Sequence, residues 1–496
     1  MADRDWRRCE RAYAVSAGDP ALLGRLLRAR QRAGVPVPGW MLEQRVHPPR
    51  RFNSLIPFRV FVRLPTGEER EVGRTPHAGP ALQIPAHTIW WVQPEQRLPV
   101  GVTEFSELEA VCSELNREAV PGLVALRTQA TDGALLRIGS CARLRHLELG
   151  VCSMVTEEGL AHLRGLELLR LRLREVGQVE GRGLVHLAAL KSLVRLDLSG
   201  AALVDDLGLR ALSSLRGLCE LRLSGALITD EGLTSLASLG ELSSLALEDC
   251  SLLVGHGIGA LEGLGRLRRL SLSGCRRLHD AATERIGRLR GLRQLELRDC
   301  QRLRDSGLAE LARRLEGLES LSLGPSIRIS DSGLAHLARL TELRRLNLGW
   351  CQGISDPGLA RIKRLERLRS LNLAGSKVTA HGVGLLRRLA ELAELNLAFC
   401  DGLSDRALER LADFPALRRL NLSWCGGISD RGLAALARAR LEAVDLSFCS
   451  GISARGVEAL LSGGSVRWLR VEGSEGLGAA DCARLGAAFP GAKLVR

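Results

Sequence analysis

Residues 343–367, LRRLNLGWCQGISDPGLARIKRLER, contain one full period of the pattern that organises most of this chain. Leu346 and Leu348 stand two residues apart, which is the spacing of a strand with one buried face. Leu359 and Ile362 stand three apart, which is helical spacing. The period therefore predicts one strand, one turn and one short helix.

The pattern returns at intervals of about 25 residues from Leu144 onward. No single unit can bury its apolar face, so we expect the units to stack into an α/β solenoid. Its strands would form a parallel sheet on the concave side of a horseshoe, with helices on the convex side. The first positions of the units are Leu144, Leu168, Leu193, Leu218, Leu242, Leu267, Leu292, Leu318, Leu343, Leu368, Leu392, Leu417, Leu441 and Val466.

A hydroxyl residue followed by aspartate stands just before each predicted helix in many units. A side-chain oxygen at this place can accept the unpaired backbone N–H groups of the first helical turn. We therefore predict helix N-caps at these pairs. They are Thr229-Asp230, Ser330-Asp331, Ser355-Asp356, Ser404-Asp405 and Ser429-Asp430.

Eight of the 13 cysteines occupy one slot, eight residues after the first leucine of a unit. Other units hold valine, alanine or serine there, so the slot requires a small side chain. A structural row of reduced thiols is the favoured interpretation, and a redox or metal-binding ladder is the alternative. The eight are Cys152, Cys250, Cys275, Cys300, Cys351, Cys400, Cys425 and Cys449.

Residues 420–433, LNLSWCGGISDRGL, combine the leucines, the cysteine slot, the Ser-Asp turn and the Gly-Leu pair in one order. They resemble the cysteine-containing class of leucine-rich repeat known from F-box/leucine-rich-repeat proteins, and the resemblance covers about 120–496. It implies a horseshoe that recruits another protein. In that family an N-terminal F-box docks to a ubiquitin-ligase scaffold, but residues 1–119 contain no convincing F-box.

The first 119 residues differ in composition, since they hold 12 of the 17 prolines. Residues 21–30 predict a helix, and residues 58–64 and 88–92 predict strands, the first followed by a turn at 65–68. Residues 104–119 predict a helix whose apolar face closes the open end of the stack. The predicted domains are 1–46, an N-terminal helical segment; 47–102, a small β-rich module; 103–143, a capping helix with a degenerate first repeat; and 144–496, the array with a C-terminal cap.

The net charge of +14 raises the question of a nucleic-acid partner. Only four of the 70 basic residues are lysines, and the arginines are interleaved with glutamates over most units, which favours a solvated surface over a phosphate track. The charged start, Met1 to Arg8, does not look like a signal peptide, and no apolar run reaches membrane-spanning length. We therefore expect a cytoplasmic protein that is monomeric on its own, with no membrane contact and nucleic acid an unfavoured partner.

No catalytic motif stands out along the chain, so we expect neither an enzyme nor a cofactor or metal site. Residues 255–259, GHGIG, lack the third spacing of a dinucleotide-binding loop. His162, His186 and His336 share one helical slot, but without a carboxylate partner they are better read as surface residues.

Side chains between the strand leucines should face the concave surface, and two rows of them stand out in the last units. In an array so poor in aromatic residues, large rings at one edge of this face are typical of interface anchors. The alternative is that the rings only cover the turn of the neighbouring unit. The first row is Asn347, Asn372, Asn396, Asn421 and Asp445; the second is Trp350, Phe399, Trp424 and Phe448, with Trp468 on the last strand.

Earlier units present mixed charge on the same face, which favours a polar protein partner over a phosphate backbone. The function predicted is a non-catalytic scaffold that binds a protein on its concave face. The alternatives are the substrate-recognition subunit of a ubiquitin ligase and a nucleic-acid-binding protein. The charged residues are Arg172, Arg174, Arg222 and Arg298, alternating with Glu148, Asp197, Glu248 and Glu296.

Overall fold

The computed structural model describes residues 50–64, 68–76, 81–85, 89–95 and 105–495. The helix predicted at 21–30, most of the turn predicted at 65–68 and the whole of predicted domain 1–46 lie outside these residues. The chain divides into two compact units, which are described separately. The first unit comprises Met1–Cys250 and Ala260–Leu267, and the second comprises Ser251–Gly259 and Arg268–Arg496.

The described part of the first unit begins with five strands: β1 (Arg50–Phe52), β2 (Phe58–Arg63), β3 (Glu69–Arg74), β4 (Leu82–Ile84) and β5 (Ile89–Pro94). β2 pairs antiparallel with both β3 and β5, and β1 pairs antiparallel with β4. Alternating burial along β2 shows why it forms a strand, because Phe58, Val60 and Val62 are fully buried and the residues between them are not. The strands predicted at 58–64 and 88–92 are confirmed as β2 and β5.

The rest of the first unit alternates strands with short helices. β5 pairs in parallel with β6, and the parallel pairing continues from β6 to β11. The N-terminal strands therefore extend the sheet of the array. The elements are α1 (Phe105–Arg117), β6 (Gly122–Thr131), α2 (Asp132–Ile138), β7 (His146–Met154), α3 (Glu157–Ala161), β8 (Arg170–Arg174), α4 (Leu184–Leu187), β9 (Arg195–Ser199), α5 (Asp206–Leu212), β10 (Glu220–Ser224) and β11 (Ser244–Ala246), with 3₁₀ turns at Gly181–Gly183 and Gly232–Ser238.

The second unit repeats the strand–turn–helix pattern to its end, and each strand from β12 to β21 pairs in parallel with the next. A 3₁₀ turn at His256–Gly263 spans the division between the units, and another lies at Leu386–Arg388. The elements are β12 (Arg269–Ser271), α6 (Asp280–Arg288), β13 (Gln294–Glu296), α7 (Asp305–Arg314), β14 (Ser320–Ser322), α8 (Asp331–Leu337), β15 (Arg345–Asn347), α9 (Asp356–Ile362), β16 (Ser370–Asn372), α10 (Ala380–Leu385), β17 (Glu394–Asn396), α11 (Asp405–Leu411), β18 (Arg419–Asn421), α12 (Asp430–Leu436), β19 (Ala443–Asp445), α13 (Ala454–Ser462), β20 (Trp468–Arg470), α14 (Ala479–Ala488) and β21 (Lys493–Val495).

The leucines of the period form the core, as predicted. Leu348, Leu359 and Ile362 are fully buried, whereas the strand residues Arg345 and Asn347 on either side of Leu346 reach the surface. Each strand therefore has a buried face towards the helices and an outer face towards solvent. Among the described residues, no helix combines the length and the apolar character needed to cross a membrane.

The predicted helix caps are only partly correct. The hydroxyls of Thr229, Ser330 and Ser429 each accept a backbone N–H two residues further on, at 3.2 to 3.3 Å. Ser355 and Ser404 also begin helices, but their side chains make no capping hydrogen bond. For Ser355 the reason is that the residue two positions further on is Pro357, which has no backbone N–H to donate.

The aspartate after the hydroxyl residue links neighbouring repeats, which the sequence analysis did not predict. The carboxylate of Asp331 accepts both the backbone N–H of Ser355, at 2.8 Å, and its hydroxyl, at 2.5 Å. The same oxygen pair lies against Gly358, where an added Cβ would come within 2.2 Å of Oδ1. A glycine is therefore needed wherever the preceding repeat supplies this aspartate.

Candidate functional site

Trp350, Phe399, Trp424 and Phe448 occupy the position immediately before the cysteine slot, where the backbone leaves the strand with a positive φ. Their φ angles are +64°, +57°, +61° and +57°. This left-handed conformation suits glycine and is tolerated by aspartate, but it costs other residues about 1–2 kcal/mol. Glu175 shares the slot with a positive φ, and most other repeats hold glycine or aspartate there: Gly200, Gly225, Asp249, Gly274, Asp299, Gly375 and Gly473. The four rings therefore occupy their positions at a cost in stability that the fold does not require.

The four rings stack into one row, here called the aromatic ladder. The ring centroids of Trp350 and Phe399 lie 5.0 Å apart, those of Phe399 and Trp424 5.3 Å, and those of Trp424 and Phe448 4.3 Å. The last two pairs are nearly parallel, with interplanar angles of 13° and 12°. Parallel stacking of this kind stabilises each pair beyond its buried area.

A glycine in the following repeat makes room for the ring at each end of the ladder. A Cβ on Gly375 would lie 2.6 Å from the ring of Trp350, and one on Gly473 would lie 2.3 Å from the ring of Phe448. These rings do cover the turn of the next repeat, as the alternative interpretation expects. They nevertheless remain well exposed, at 46% for Trp350 and 37% for Phe448, and Trp424 is also 46% exposed.

The stacking decides which contacts the ladder can offer. Phe399 and Trp424 each have a ring neighbour on both sides, so their faces are covered and their edges face solvent. Ring edges carry partial positive charge and favour apolar groups, carbonyl oxygens and the faces of other rings. A cation or a sugar would need a free ring face, which these two inner rings do not offer.

The asparagine row lies beside the ladder on the outer face of β15 to β19. Asn347 pairs in register with Asn372, which continues through Asn396 and Asn421 to Asp445. Each side chain also accepts a hydrogen bond from the backbone N–H two residues further on, at 2.9 to 3.0 Å. Part of every side chain in this row therefore shapes the local turn, and the asparagine Nδ2 groups make no hydrogen bond within the described residues.

Small side chains separate the asparagine row from the ladder. Ala374, Ala398, Ser423 and Ser447 are buried, and Gly349 has no side chain. The two rows therefore border a shallow trough whose floor lies close to the backbone.

Trp468 does not belong to the ladder, and its predicted place on the last strand is wrong. It begins β20, and β21 follows, with Trp468 in register with Lys493. On the other side it pairs with Ala443, two positions before the asparagine row. The weak apolar signal of residues 493–495 concealed the extra strand.

Comparisons with known proteins agree with this architecture. Residues 340–363 and 415–437 match the family model described as Leucine Rich repeat. A chain of the yeast Rad7–Elc1 complex is 19% identical and matches over 79% of this chain and 92% of its own, with a TM-score of 0.50. The fold is that of the leucine-rich-repeat proteins.

Two further solved structures are also similar in outline. A leucine-rich-repeat protein of Leptospira interrogans is 18% identical over 77% of this chain and 92% of its own, with a TM-score of 0.42. An internalin of Listeria monocytogenes is 20% identical over 78% and 93%, with a TM-score of 0.39. No curated protein sequence matches this chain at a significant level.

The cysteine slots of these leucine-rich repeats are buried, and their thiols have a hydrogen-bonding role in addition to small size. Cys300, Cys425 and Cys449 donate at 3.2 Å to a leucine carbonyl of the preceding repeat. Ser474 makes the same bond with its hydroxyl, at 2.9 Å. Burial raises the pKa of the Cys425 thiol to about 12, so it stays protonated at neutral pH and is a poor nucleophile or metal ligand.

Charged residues on the outer face of the first unit form a connected set of ion pairs. Arg172 lies between Glu148, at 3.0 Å, and Asp197, at 2.8 Å. Arg222 also pairs with Asp197, at 3.8 Å, and Arg174 with Glu148, at 3.2 Å. These arginines therefore already have carboxylate partners.

Histidines form no recognisable site in the described part of the chain. His256 and His279 contact edge to face at 5.6 Å, and His279 Nδ1 accepts the backbone N–H of Ala281. Burial lowers the pKa of His186, with Arg164 adding to the effect. The described residues contain no group of three or more side chains placed to hold a metal ion.

Proposed function

We propose that this leucine-rich-repeat protein is a non-catalytic scaffold that binds a protein partner on the outer face of its C-terminal repeats. The aromatic ladder supports this proposal more than any other feature, because four exposed rings stand in a backbone conformation that disfavours them. Exposed contiguous apolar surface is uncommon on soluble proteins and marks interaction sites. Strained residues of this kind are retained where function needs them.

The asparagine row complements the ladder. Each asparagine uses Oδ1 for its own turn and leaves the Nδ2 donors directed at the outer face. A partner's carbonyl groups can accept these donors while its apolar side chains pack on the ring edges. Aromatic anchors beside polar groups are the usual composition of an energetic hot spot.

The decisive variant is Trp424→Gly, because glycine is the residue that other repeats carry in this slot. The full-length chain and the variant would be immobilised and the proteins retained from a lysate of the source organism would be quantified. We expect the amount of a specific set of retained proteins to fall by about tenfold or more on the variant. The reason is that a hot-spot tryptophan contributes about 2 kcal/mol or more to the free energy of binding. Its thermal unfolding should stay within a few degrees of the parent.

Ile327→Ala is the matched control, because Ile327 is a 68% exposed apolar residue of the same unit outside the ladder. Equal retention by the parent, Trp424→Gly and Phe399→Gly would contradict the proposal. Loss of folding in Trp424→Gly would instead show that the ring is structural.

The two alternative functions stay predictions. A ubiquitin-ligase subunit needs an adaptor-binding surface in 1–119, which a pull-down with adaptor proteins would reveal. A nucleic-acid-binding protein would be retained on heparin with steep salt dependence.

A further inference from the structure

A cleft of about 420 Å³ opens on the outer face of the first unit. One side belongs to the N-terminal strands β2 and β5, and the other belongs to β7 to β10 of the leucine-rich repeats. The cleft exists because β5 joins the array in parallel at Val92 and Leu123, which places two differently composed strand faces side by side. It is called the N-terminal cleft below.

The wall formed by β2 and β5 combines aromatic and apolar side chains with Gln93 and with Arg63, whose guanidinium lies over the Trp91 ring at 5.8 Å from the centroid. Phe61 and Trp91 are opposite each other in register and stack at 5.8 Å with an interplanar angle of 9°. Trp91 packs against Gly122, and a Cβ added to that glycine would lie 2.6 Å from the tryptophan Cβ. Leu126 stands at the mouth of the cleft and is 37% exposed. This wall offers an apolar side chain a surface from which water can be displaced.

The opposite wall is charged but neutral in total. This wall carries three arginines and three carboxylates, and each carboxylate is in an ion pair with one of these arginines. A fourth pair, Arg63 with Glu69, lies on the side of the cleft formed by the N-terminal strands. Arg172 uses Nε on Asp197 and Nη1 on Glu148. A guanidinium has five N–H donors, so donors remain on Arg172 after both bonds are made. Glu148 Oε2 accepts no hydrogen bond within the described residues and remains an acceptor.

These properties restrict the ligand. A polyanion would have to displace carboxylates that already neutralise the arginines, and a cation would have to displace the arginines. A peptide carries donors and acceptors together without net charge, so its amides can add to both kinds of group while the ion pairs stay intact. The volume lies in the lower part of the ~300–1,000 Å³ range of ligand pockets, which fits a side chain and its flanking amides.

We propose that the N-terminal cleft is a second binding site, which takes a short peptide segment with one large apolar side chain. The side chain packs against Phe61 and Trp91, and the adjoining amides bond to Arg172 and Glu148. This site is independent of the aromatic ladder, which lies in the other compact unit.

The experiment selects a random dodecapeptide display library on the full-length chain and measures chosen synthetic peptides by fluorescence anisotropy. Selected peptides should share a large apolar residue, and Leu126→Glu should weaken their binding by about tenfold because it places a charge in the apolar mouth. Leu126 is exposed enough for the variant to fold, and Trp91→Ala provides a second measurement. Raising the salt from ~0.05 to ~0.5 M should change the affinity by less than about threefold.

Trp424→Gly is the matched control and should leave peptide affinity unchanged, so the two proposed sites can fail separately. Three results would each overturn the proposal: no enrichment of any peptide sequence, full affinity in both Leu126→Glu and Trp91→Ala, or displacement of the peptide by inorganic phosphate at millimolar concentration.

Discussion

At the scale of single residues, two adjacent positions at the end of each strand have different requirements. They are the position of the ladder rings and the cysteine slot that follows it. The first position needs a positive φ, and the second needs a small side chain that can donate to the preceding repeat. Glycine or aspartate with cysteine meets both demands at no cost, as in Gly274-Cys275 and Asp299-Cys300. Trp424-Cys425 meets only the second, which is why the aromatic rings call for a functional explanation and the cysteines do not.

The buried thiols lead to a prediction for alkaline pH. Burial raises the pKa of Cys152, Cys250, Cys300, Cys351 and Cys425 from 9.0 to about 12, and that of Cys449 to about 11. Between pH 9 and these values the unfolded chain releases protons that the folded chain keeps. Folding stability should therefore be constant below about pH 9 and fall as pH rises towards 12. Chemical denaturation at a series of pH values measures this.

Cys425→Ser is the control for that series. Serine fills the same slot at Ser474, so the variant should fold with nearly the parent's stability at pH 7. Because one titrating thiol is gone, its stability should decline less steeply above pH 9. An identical decline in parent and variant would show that other groups cause the alkaline loss.

At the scale of elements, the contact between neighbouring helices depends on an aspartate and a glycine about one repeat apart. Two of the places where the aspartate is missing carry a side chain at the facing position. Gly255 replaces it in one repeat and Ala380 in another, and the facing position then holds Ala282 or Ala407 in place of glycine. The aspartate carboxylate and a Cβ at the facing position compete for the same space, so the two do not occur together.

Gly358→Ala tests this competition. The new Cβ would lie 2.2 Å from Asp331 Oδ1, so we expect a loss of about 1–3 kcal/mol, although alanine favours helices. Asp331→Ala alone should also destabilise, because it removes both bonds to Ser355. The free energy of unfolding of the double variant should exceed the value expected from adding the two single losses by about 1 kcal/mol or more, measured by urea denaturation.

The chain provides the reverse experiment at Ala380. Ala380→Asp should destabilise the parent, where Ala407 faces it, and be tolerated together with Ala407→Gly. Additive changes in the free energy of unfolding in both double-mutant cycles, Asp331 with Gly358 and Ala380 with Ala407, would contradict the steric explanation.

At the scale of the whole molecule, each repeat relies on its neighbours for burial. Leu422 is fully buried between strand and helix, and the leucines of adjoining repeats are equally buried. Stability in such a stack is shared between repeats and their interfaces, so damage to one repeat is transmitted to the next.

Leu422→Asp should unfold the C-terminal repeats, because it places an unpaired charge in the core. Loss of helical signal in circular dichroism and a lower unfolding temperature measure the effect. Asn421→Asp is the matched control, since the asparagine row already contains Asp445 and its Oδ1 bonds the backbone in the same way. A stable, fully helical Leu422→Asp variant would mean that the stack is not the source of stability here.

Much of this fold could be predicted from the spacing of apolar residues, since period alone separates a strand from a helix and fixes which leucines are buried. The alignment of Asn347 with Asn372 and the burial of the cysteine slots follow from that period. Only the tertiary structure decided the positive φ under the rings, the aspartate seated on Gly358, the extra strand after Trp468 and the cleft beside Trp91. These features depend on contacts between residues one repeat or more apart, and such contacts arise from backbone geometry and packing that no local pattern records.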